Sequence, residues 1–362
     1  MGAGDMNEKR LLIFAGAGAS FGVDGNQFPT TVGFRKLLPT SITDNYLFQQ
    51  VENYLETIKK EEPPYDIEKI LWELGEFEKN LEKINDQNSL TAHLFKTGSL
   101  GPLGFTQSSQ QIQSQFAQTA DHVRKLQTEI YDLVYRLYAN QPDISKLNSN
   151  WLPLLRWAKD KYDVVDIVTT NYDLVIETAL LEVPLVDTAR QNPFLPVLNE
   201  ERWKEYETPA IKSGLNLERK GLLTKLHGSV DWAYAMHEKQ SGKPRIRVGN
   251  PDPHGGHETR AIIYPGFKGT PAKEPFALFH RYLKGIWRDC SHAIFIGFAF
   301  RDEYLNMIFE IERDKQRPVA IIDPAPRKRE DYPSFREVSF ISKGFGEAQL
   351  EEKLDRWFNS FK

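Results

Sequence analysis

What the chain lacks narrows its class first. A single cysteine, Cys290, stands in 362 residues. That excludes a disulfide framework and fits a reducing cytoplasm. No apolar run approaches the roughly 20 residues that cross a bilayer. The opening MGAGDMNEKR is polar and mixed in charge, unlike a secretory leader. An excess of positive charge is also missing. Lys and Arg number 46 against 50 Asp and Glu, for a net charge of −4, so the molecule as a whole is no electrostatic match for nucleic acid. The basic run Arg327-Lys328-Arg329 passes directly into Glu330 and Asp331 and reads as a solvated loop. No internal repeat is visible. The expectation is a soluble cytoplasmic protein with no direct nucleic-acid or membrane contact, long enough to bury a large core and to hold two domains.

What is present begins with LLIFAGAGAS, Leu11 to Ser20. An apolar run ends in Gly16-Ala17-Gly18-Ala19-Ser20, the pattern of a buried parallel strand, a tight turn and a helix start. Glycines allow close backbone approach to a ligand, and a helix start offers N–H groups to a phosphate. The third glycine of the dinucleotide fingerprint is missing, with Phe21 in its place. Two further stretches share the strand-then-polar-turn form: VVDIVTTNYD, Val164 to Asp173, and LLTKLHGSVDW, Leu222 to Trp232.

Between them the pattern changes. The Gly-, Pro- and Thr-rich segment Phe21–Phe34 reads as a loop over the first turn. Residues 33–149 carry helical spacing: Ile67, Ile70, Leu71, Leu74, Phe77, Leu81 and Ile84, then Ile112, Phe116, Ala120, Val123, Leu126, Ile130, Leu133 and Leu137. A Gly-, Ser- and Gln-rich loop over 98–111 separates the two stripes. This block reads as a helical insertion in an α/β domain made of residues 1–32 and 150–362. Helices are expected at Trp151–Lys161, Asp173–Leu181 (with Asp173 as N-cap), Pro275–Arg288, and from Asp302 onward. Strands are expected at Ala261–Tyr264, Ala293–Ile296, Val319–Ile322 and Glu337–Ile341, and a closing helix carries Leu350, Leu354, Trp357, Phe358 and Phe361. Proline-rich 184–220 reads as an irregular excursion and 236–260 as a hairpin or loop. His254 and His257, two histidines without a third ligand, read as loop residues. Alternating strands and helices after residue 160 predict a Rossmann-like, doubly wound parallel sheet.

GAGAS, then TTNYD, then LHG, in that order, resemble the sirtuin family, and most closely the bacterial sirtuin-like branch of anti-phage defence, whose members hydrolyse NAD. The resemblance covers residues 10–32 and 160–325. It implies NAD as substrate, Asn171 and His227 as catalytic residues, and Gly16, Ala17, Gly18, Ser20, Thr170, Asp173 and Gly297 in the NAD-binding set, to which Asp323 is added because it ends an apolar strand where open parallel sheets bind ligands. The Gly297–Phe300 turn corresponds to the family's Gly-x-Ser/Ala turn. Sirtuin deacylases carry a zinc held by four cysteines. With Cys290 alone that module cannot form, so no zinc is expected and the deacylase reading weakens. Where deacylases have a GIPDFR-like loop, this chain has Phe28-Pro29-Thr30-Thr31.

The chemistry asks for a pocket around nicotinamide and ribose, a group that orients the attacking nucleophile, and a proton acceptor. Asn171 offers both a donor and an acceptor, and His227 an imidazole able to exchange a proton near neutral pH. Each has a plainer reading, as a turn asparagine and a structural histidine. Asp173 suits an N-cap or a substrate contact, Ser20 a phosphate contact or a helix cap. An NAD glycohydrolase is the leading reading; a deacylase, an ADP-ribosyltransferase or a non-catalytic nucleotide-binding subunit are the alternatives. Cleaving a central metabolite demands control. The final helix is expected to end at Phe361 and Lys362, so no appended sensor domain is expected. Regulation by self-association and by a partner such as a HerA-type ATPase is the corresponding expectation, with the helical insertion as the contact surface, although core packing explains its apolar stripes equally well.

Overall fold

The computed structural model describes residues 9–63, 65–85, 109–187, 221–235, 245–248, 258–262, 276–310, 317–324, 332–333, 335, 337–342, 344–347 and 349–361. The stretches 98–108 and 188–220, the His254 and His257 pair and the Arg327-Lys328-Arg329 run lie outside them. Leaving aside helices of three or four residues, the elements in chain order are β1 (Arg10–Ala15), α1 (Ala17–Phe21), α2 (Tyr46–Thr57), α3 (Ile67–Asn85), α4 (Ser109–Tyr138), α5 (Trp151–Lys161), β2 (Val164–Thr169), α6 (Val175–Glu182) and β3 (Val186–Asp187). Then come β4 (Gly221–Lys225), β5 (Gly228–Ala235), β6 (Arg245–Val248), β7 (Glu258–Ile262), α7 (Phe276–Asp289), β8 (His292–Ile296), α8 (Glu303–Glu310), β9 (Pro318–Ile322), β10 (Glu337–Ser342) and α9 (Leu350–Asn359).

The chain divides into two compact units. Met1–Thr30, Leu137–Ile263 and Lys268–Lys362 form one, and Thr31–Arg136 with Tyr264–Phe267 the other. The first holds a seven-stranded sheet in the order β10-β9-β8-β1-β2-β4-β3, parallel at every pairing. The predicted doubly wound parallel α/β sheet is therefore present. Its apolar strands are covered on both faces, because successive side chains of one strand point to opposite sides. Leu11, Ile13 and Ala15 of β1 join one core with Trp151, Leu154 and Leu155 of α5, with α6 and with Leu354 and Trp357 of α9. Leu12 and Phe14 join another with Leu283 and Ile286 of α7 and Leu305 and Ile308 of α8. Ile294 and Ile296 face the first core, Ala293 and Phe295 the second.

The order reverses at β1: the chain adds β2 and β4 on one side, then β8, β9 and β10 on the other. Open parallel sheets bind ligands outside the carboxyl ends of their strands at such a reversal. Register aligns those ends. Ala15 pairs with both Thr169 and Ile296, Thr169 with Lys225, and Ile296 with Ile322. Gly16, Thr170, Leu226, Gly297 and Asp323 follow these residues, so the polar turns leave the sheet along one edge.

A second, three-stranded antiparallel sheet, β6-β5-β7, follows His227. Of the hairpin or loop expected over 236–260, the antiparallel pairing of β5 with β6 gives the hairpin; β6 is four residues long. In the second unit, Ile67, Ile70, Leu71, Leu74 and Leu81 of α3 and Ala120, Val123, Leu126 and Ile130 of α4 are buried, as their spacing predicts. Phe77 is 40% exposed instead. Arg124 of α4 bridges Glu78 at 2.6 Å and Glu82 at 2.9 Å on α3.

Candidate active site

The site edge begins with two interlocked turns. The Gly16 amide donates to the Ile296 carbonyl at 2.9 Å, the Gly18 amide to the Gly297 carbonyl at 3.0 Å, and the Gly297 amide to the Ile322 carbonyl at 2.9 Å. The approach is so close that side chains do not fit. A Cβ on Gly18 would stand 2.7 Å from Gly297 Cα, and one on Gly16 2.7 Å from the Gly297 oxygen. Gly297 has φ +54, and its Cβ would lie 2.3 Å from the Gly18 carbonyl carbon. This alters the expected role of the motif. The Gly16 and Gly18 amides are occupied within the protein rather than offered to a phosphate, and α1 is only five residues long. The glycines are required first by the contact between the β1 and β8 turns.

The β2 turn is fastened onto the same place. Thr169 Oγ1 donates to the Ala15 carbonyl at 2.9 Å and accepts from the Asn171 amide at 3.0 Å. Asn171 Nδ2 donates to the Gly16 carbonyl and to Ser20 Oγ, each at 2.9 Å. Ser20 is also hydrogen-bonded to the Asp173 carboxyl group, and Asp173 Oδ1 accepts from the Val175 amide at 3.0 Å. The N-cap of α6 is Leu174 rather than the expected Asp173; Asp173 stands one residue earlier and accepts from the first helical amide, and Ser20, 2% exposed, joins α1 to the β2 turn. Burial pushes the Asp173 carboxyl above its ordinary range, opposed by Lys225 and by the Ser20 bond.

His227 leaves β4 beside this turn, with the Leu226 amide donating to the Thr169 carbonyl at 2.9 Å. The ring is buried, and its Nδ1 has no hydrogen-bond partner among the described residues. Burial, and then His280, push its pKa down to about 3, partly opposed by the Thr170 backbone. The imidazole is thus neutral at physiological pH rather than poised to titrate there, a correction to the expected proton exchange near neutrality. His280 of α7 stacks at 6.5 Å between ring centroids, and Tyr304 lies 5.5 Å beyond it. His280 Nδ1 is 2.9 Å from the Phe276 carbonyl. Since that oxygen only accepts, Nδ1 carries the proton.

Asn171, Ser20, Asp173, Gly16 and Gly18 thus form one bonded cluster, joined by Gly297. Ala17, Thr170 and Asp323 are half-buried at the same edge. Sequence reasoning passed over Lys225, Glu177, Ser229 and His280. Lys225 gave a signal, a lone cation in an otherwise apolar strand; His280 gave none beyond lying on the apolar face of α7. Asp302 caps α8 as expected, accepting from the Leu305 amide at 3.0 Å.

Residues 165–342 match the family model described as a SIR2-like domain. None of the curated proteins matches the chain. Among solved structures, a Sir2 homologue mutant in complex with ADP ribose is similar at a TM-score of 0.42 and 11% identity, over 98% of this chain and 94% of that one. A Sir2 homologue in complex with NAD is similar at 0.37 and 12% identity, over 98% and 91%. The fold assignment stands on the strand order and register above. No helix among the described residues is long and apolar enough to cross a membrane, and no group of three or more His, Cys, Asp or Glu side chains there could hold a metal ion.

Proposed function

We propose that this chain hydrolyses NAD at the nicotinamide–ribose bond, with Asn171 and His227 at the reacting end. The observation that carries the reading is the buried, unpartnered His227 Nδ1 beside the Asn171 turn, at the sheet edge where the strand order reverses. Leaving a buried polar atom unsatisfied costs about 1–3 kcal/mol, and a ribose hydroxyl or the attacking water supplies the missing partner.

In the reaction the C1′–N bond breaks, its electron pair goes to the pyridinium nitrogen, and neutral nicotinamide leaves. A water oxygen bonds to C1′, and the proton it sheds passes to solvent. The leaving group needs no acid. The neutral His227 imidazole orients the nucleophile by accepting its hydrogen bond. Asn171, held through Nδ2, has Oδ1 as its remaining acceptor. Within the expected binding set, Ala17, Gly18, Thr170, Gly297 and Asp323 retain surface for the dinucleotide; Gly16, Ser20 and Asp173 act by shaping the turns.

In the cell the reading is a defence effector that depletes NAD on phage infection, working as a homo-oligomer with a partner such as a HerA-type ATPase. The resemblance of the three motifs supports that role. The test is to incubate the full chain with NAD and separate the products. Nicotinamide released without an acceptor is the predicted result. Release only with an acyl-peptide or an acceptor protein indicates deacylation or ADP-ribosyl transfer, and unchanged bound NAD indicates a nucleotide-binding subunit.

A further inference from the structure

One buried cation has no part in the chemistry above. Lys225 ends β4, two residues before His227, and is 2% exposed. Its ammonium donates to the Tyr172 carbonyl at 3.3 Å, to the Asp173 carbonyl, to Glu177 Oε1 at 2.8 Å and to Ser229 Oγ at 2.9 Å. Four acceptors surround three N–H bonds. Ser229 Oγ also donates to the Tyr172 carbonyl at 3.3 Å, and the Val230 amide to that same oxygen at 3.0 Å.

Lysine is seldom buried, and well-packed apolar residues commonly serve stability as well as a buried ion pair or better. The position is also unfavourable in itself, because the start of α6 carries positive dipole charge. Glu177 in the first turn of α6 and Asp173 supply the counter-charge. What the ammonium achieves is geometric. Two consecutive carbonyls, those following Asn171, converge on one cation. The Asn171 side chain is held from the other direction by Gly16 and Ser20.

We propose that Lys225 is a positioning residue, which fixes the peptide planes after Asn171 and so holds Asn171 in register with His227 across the two adjacent strand ends. The proposal rests on the reading of Asn171 and His227 as the reacting pair.

The full chain is compared with Lys225→Met, Lys225→Arg and Glu177→Gln by kcat and KM for NAD, by thermal melting, and by amide hydrogen exchange. Lys225→Met, folded at the assay temperature, is expected to lose about 100-fold in kcat with KM nearly unchanged, the scale of a misplaced reacting group. Amides 171–174 should exchange faster, while those of Leu11–Ala15 and Ala293–Ile296 do not. Lys225→Arg should recover part of kcat. Glu177→Gln, which keeps both carbonyl bonds, should lose far less and leave exchange at 171–174 unchanged. If Lys225→Met does not fold, the other two variants decide. Wild-type kcat in folded Lys225→Met overturns the proposal, as does a Glu177→Gln loss that equals that of the lysine variants. If the wild-type chain releases no nicotinamide, the hydrolase reading fails, and the exchange measurement alone decides on Lys225: acceleration confined to 171–174 upholds the holding role, and unchanged exchange overturns it.

Discussion

Asn171 Nδ2 donates to Ser20 Oγ at 2.9 Å across 151 positions of sequence. The same nitrogen donates to the Gly16 carbonyl. A main-chain carbonyl can only accept, so the amide orientation is fixed: nitrogen toward the turn, Oδ1 as the free acceptor. The first and second motifs of the chain are therefore one structural unit.

Asn171→Asp tests that unit with almost no change of shape. It replaces the donor with an acceptor facing the Gly16 carbonyl, so that bond is lost, and the Ser20 hydroxyl must donate either to the new carboxylate or to Asp173. The variant should lose about 2–3 kcal/mol in urea unfolding and about 100-fold or more in nicotinamide release. Wild-type stability and turnover together would contradict the assigned orientation.

Ser20→Ala separates two roles that the sequence leaves open. A hydroxyl that only ties Asn171 to Asp173 should cost about 1–2 kcal/mol of stability on removal, with NAD affinity by calorimetry close to wild type. A loss of affinity without a loss of stability would return Ser20 to phosphate binding.

Gly297→Ala and Gly18→Ala should both destabilise, by about 1–3 kcal/mol or more, as overpacking does. The Gly297 variant should be the worse, because it adds left-handed backbone strain to a 2.3 Å clash. Differential scanning calorimetry without NAD reads this directly. Reduced NAD affinity at an unchanged melting temperature would show instead that Gly18 answers to the ligand alone.

The sheet was largely legible because buried parallel strands are continuous apolar runs, and β1, β2, β4, β8 and β9 lie within a few residues of their expected places. The polar turns were legible for the same reason, since they stand where those runs stop. The bonding was not. Nothing local to GAGAS says that Gly18 meets Gly297, or that Ser20 bonds Asn171, because both contacts depend on which strands become neighbours. The His227 environment was misjudged: an unburied imidazole titrates near neutrality, whereas the α7 face carrying His280 removes water from this one. Lys225 was a lone cation in an otherwise apolar run, and the inward course of the Tyr172 and Asp173 carbonyls explains its burial.

Burial makes stability fall with acid through His280. Its pKa drops to about 4 from the ordinary 6.5, by desolvation and then the Phe276 carbonyl in opposition, with Lys284 adding to the drop. The unfolded chain binds the proton more readily, so stability is complete above about pH 6.5 and declines as pH falls toward 4. The full decline through this residue is about 3 kcal/mol, at about 1.4 kcal/mol per pH unit. His280→Phe should flatten the pH dependence of urea midpoints by that slope between pH 6 and 4.5. The raised carboxyl groups of Asp173 and Glu177 act with the opposite sign and remain in both proteins, so the difference reads His280 together with its coupling to His227. An unchanged slope would place its ring in water.

The most direct measurement is nicotinamide release from NAD, without any acceptor, by the full chain and by His227→Ala verified as folded. The account predicts release by the wild-type chain and a loss of about 100-fold or more in the variant, the scale of a misplaced reacting group. No release by the wild-type chain, or undiminished release by folded His227→Ala, would contradict it.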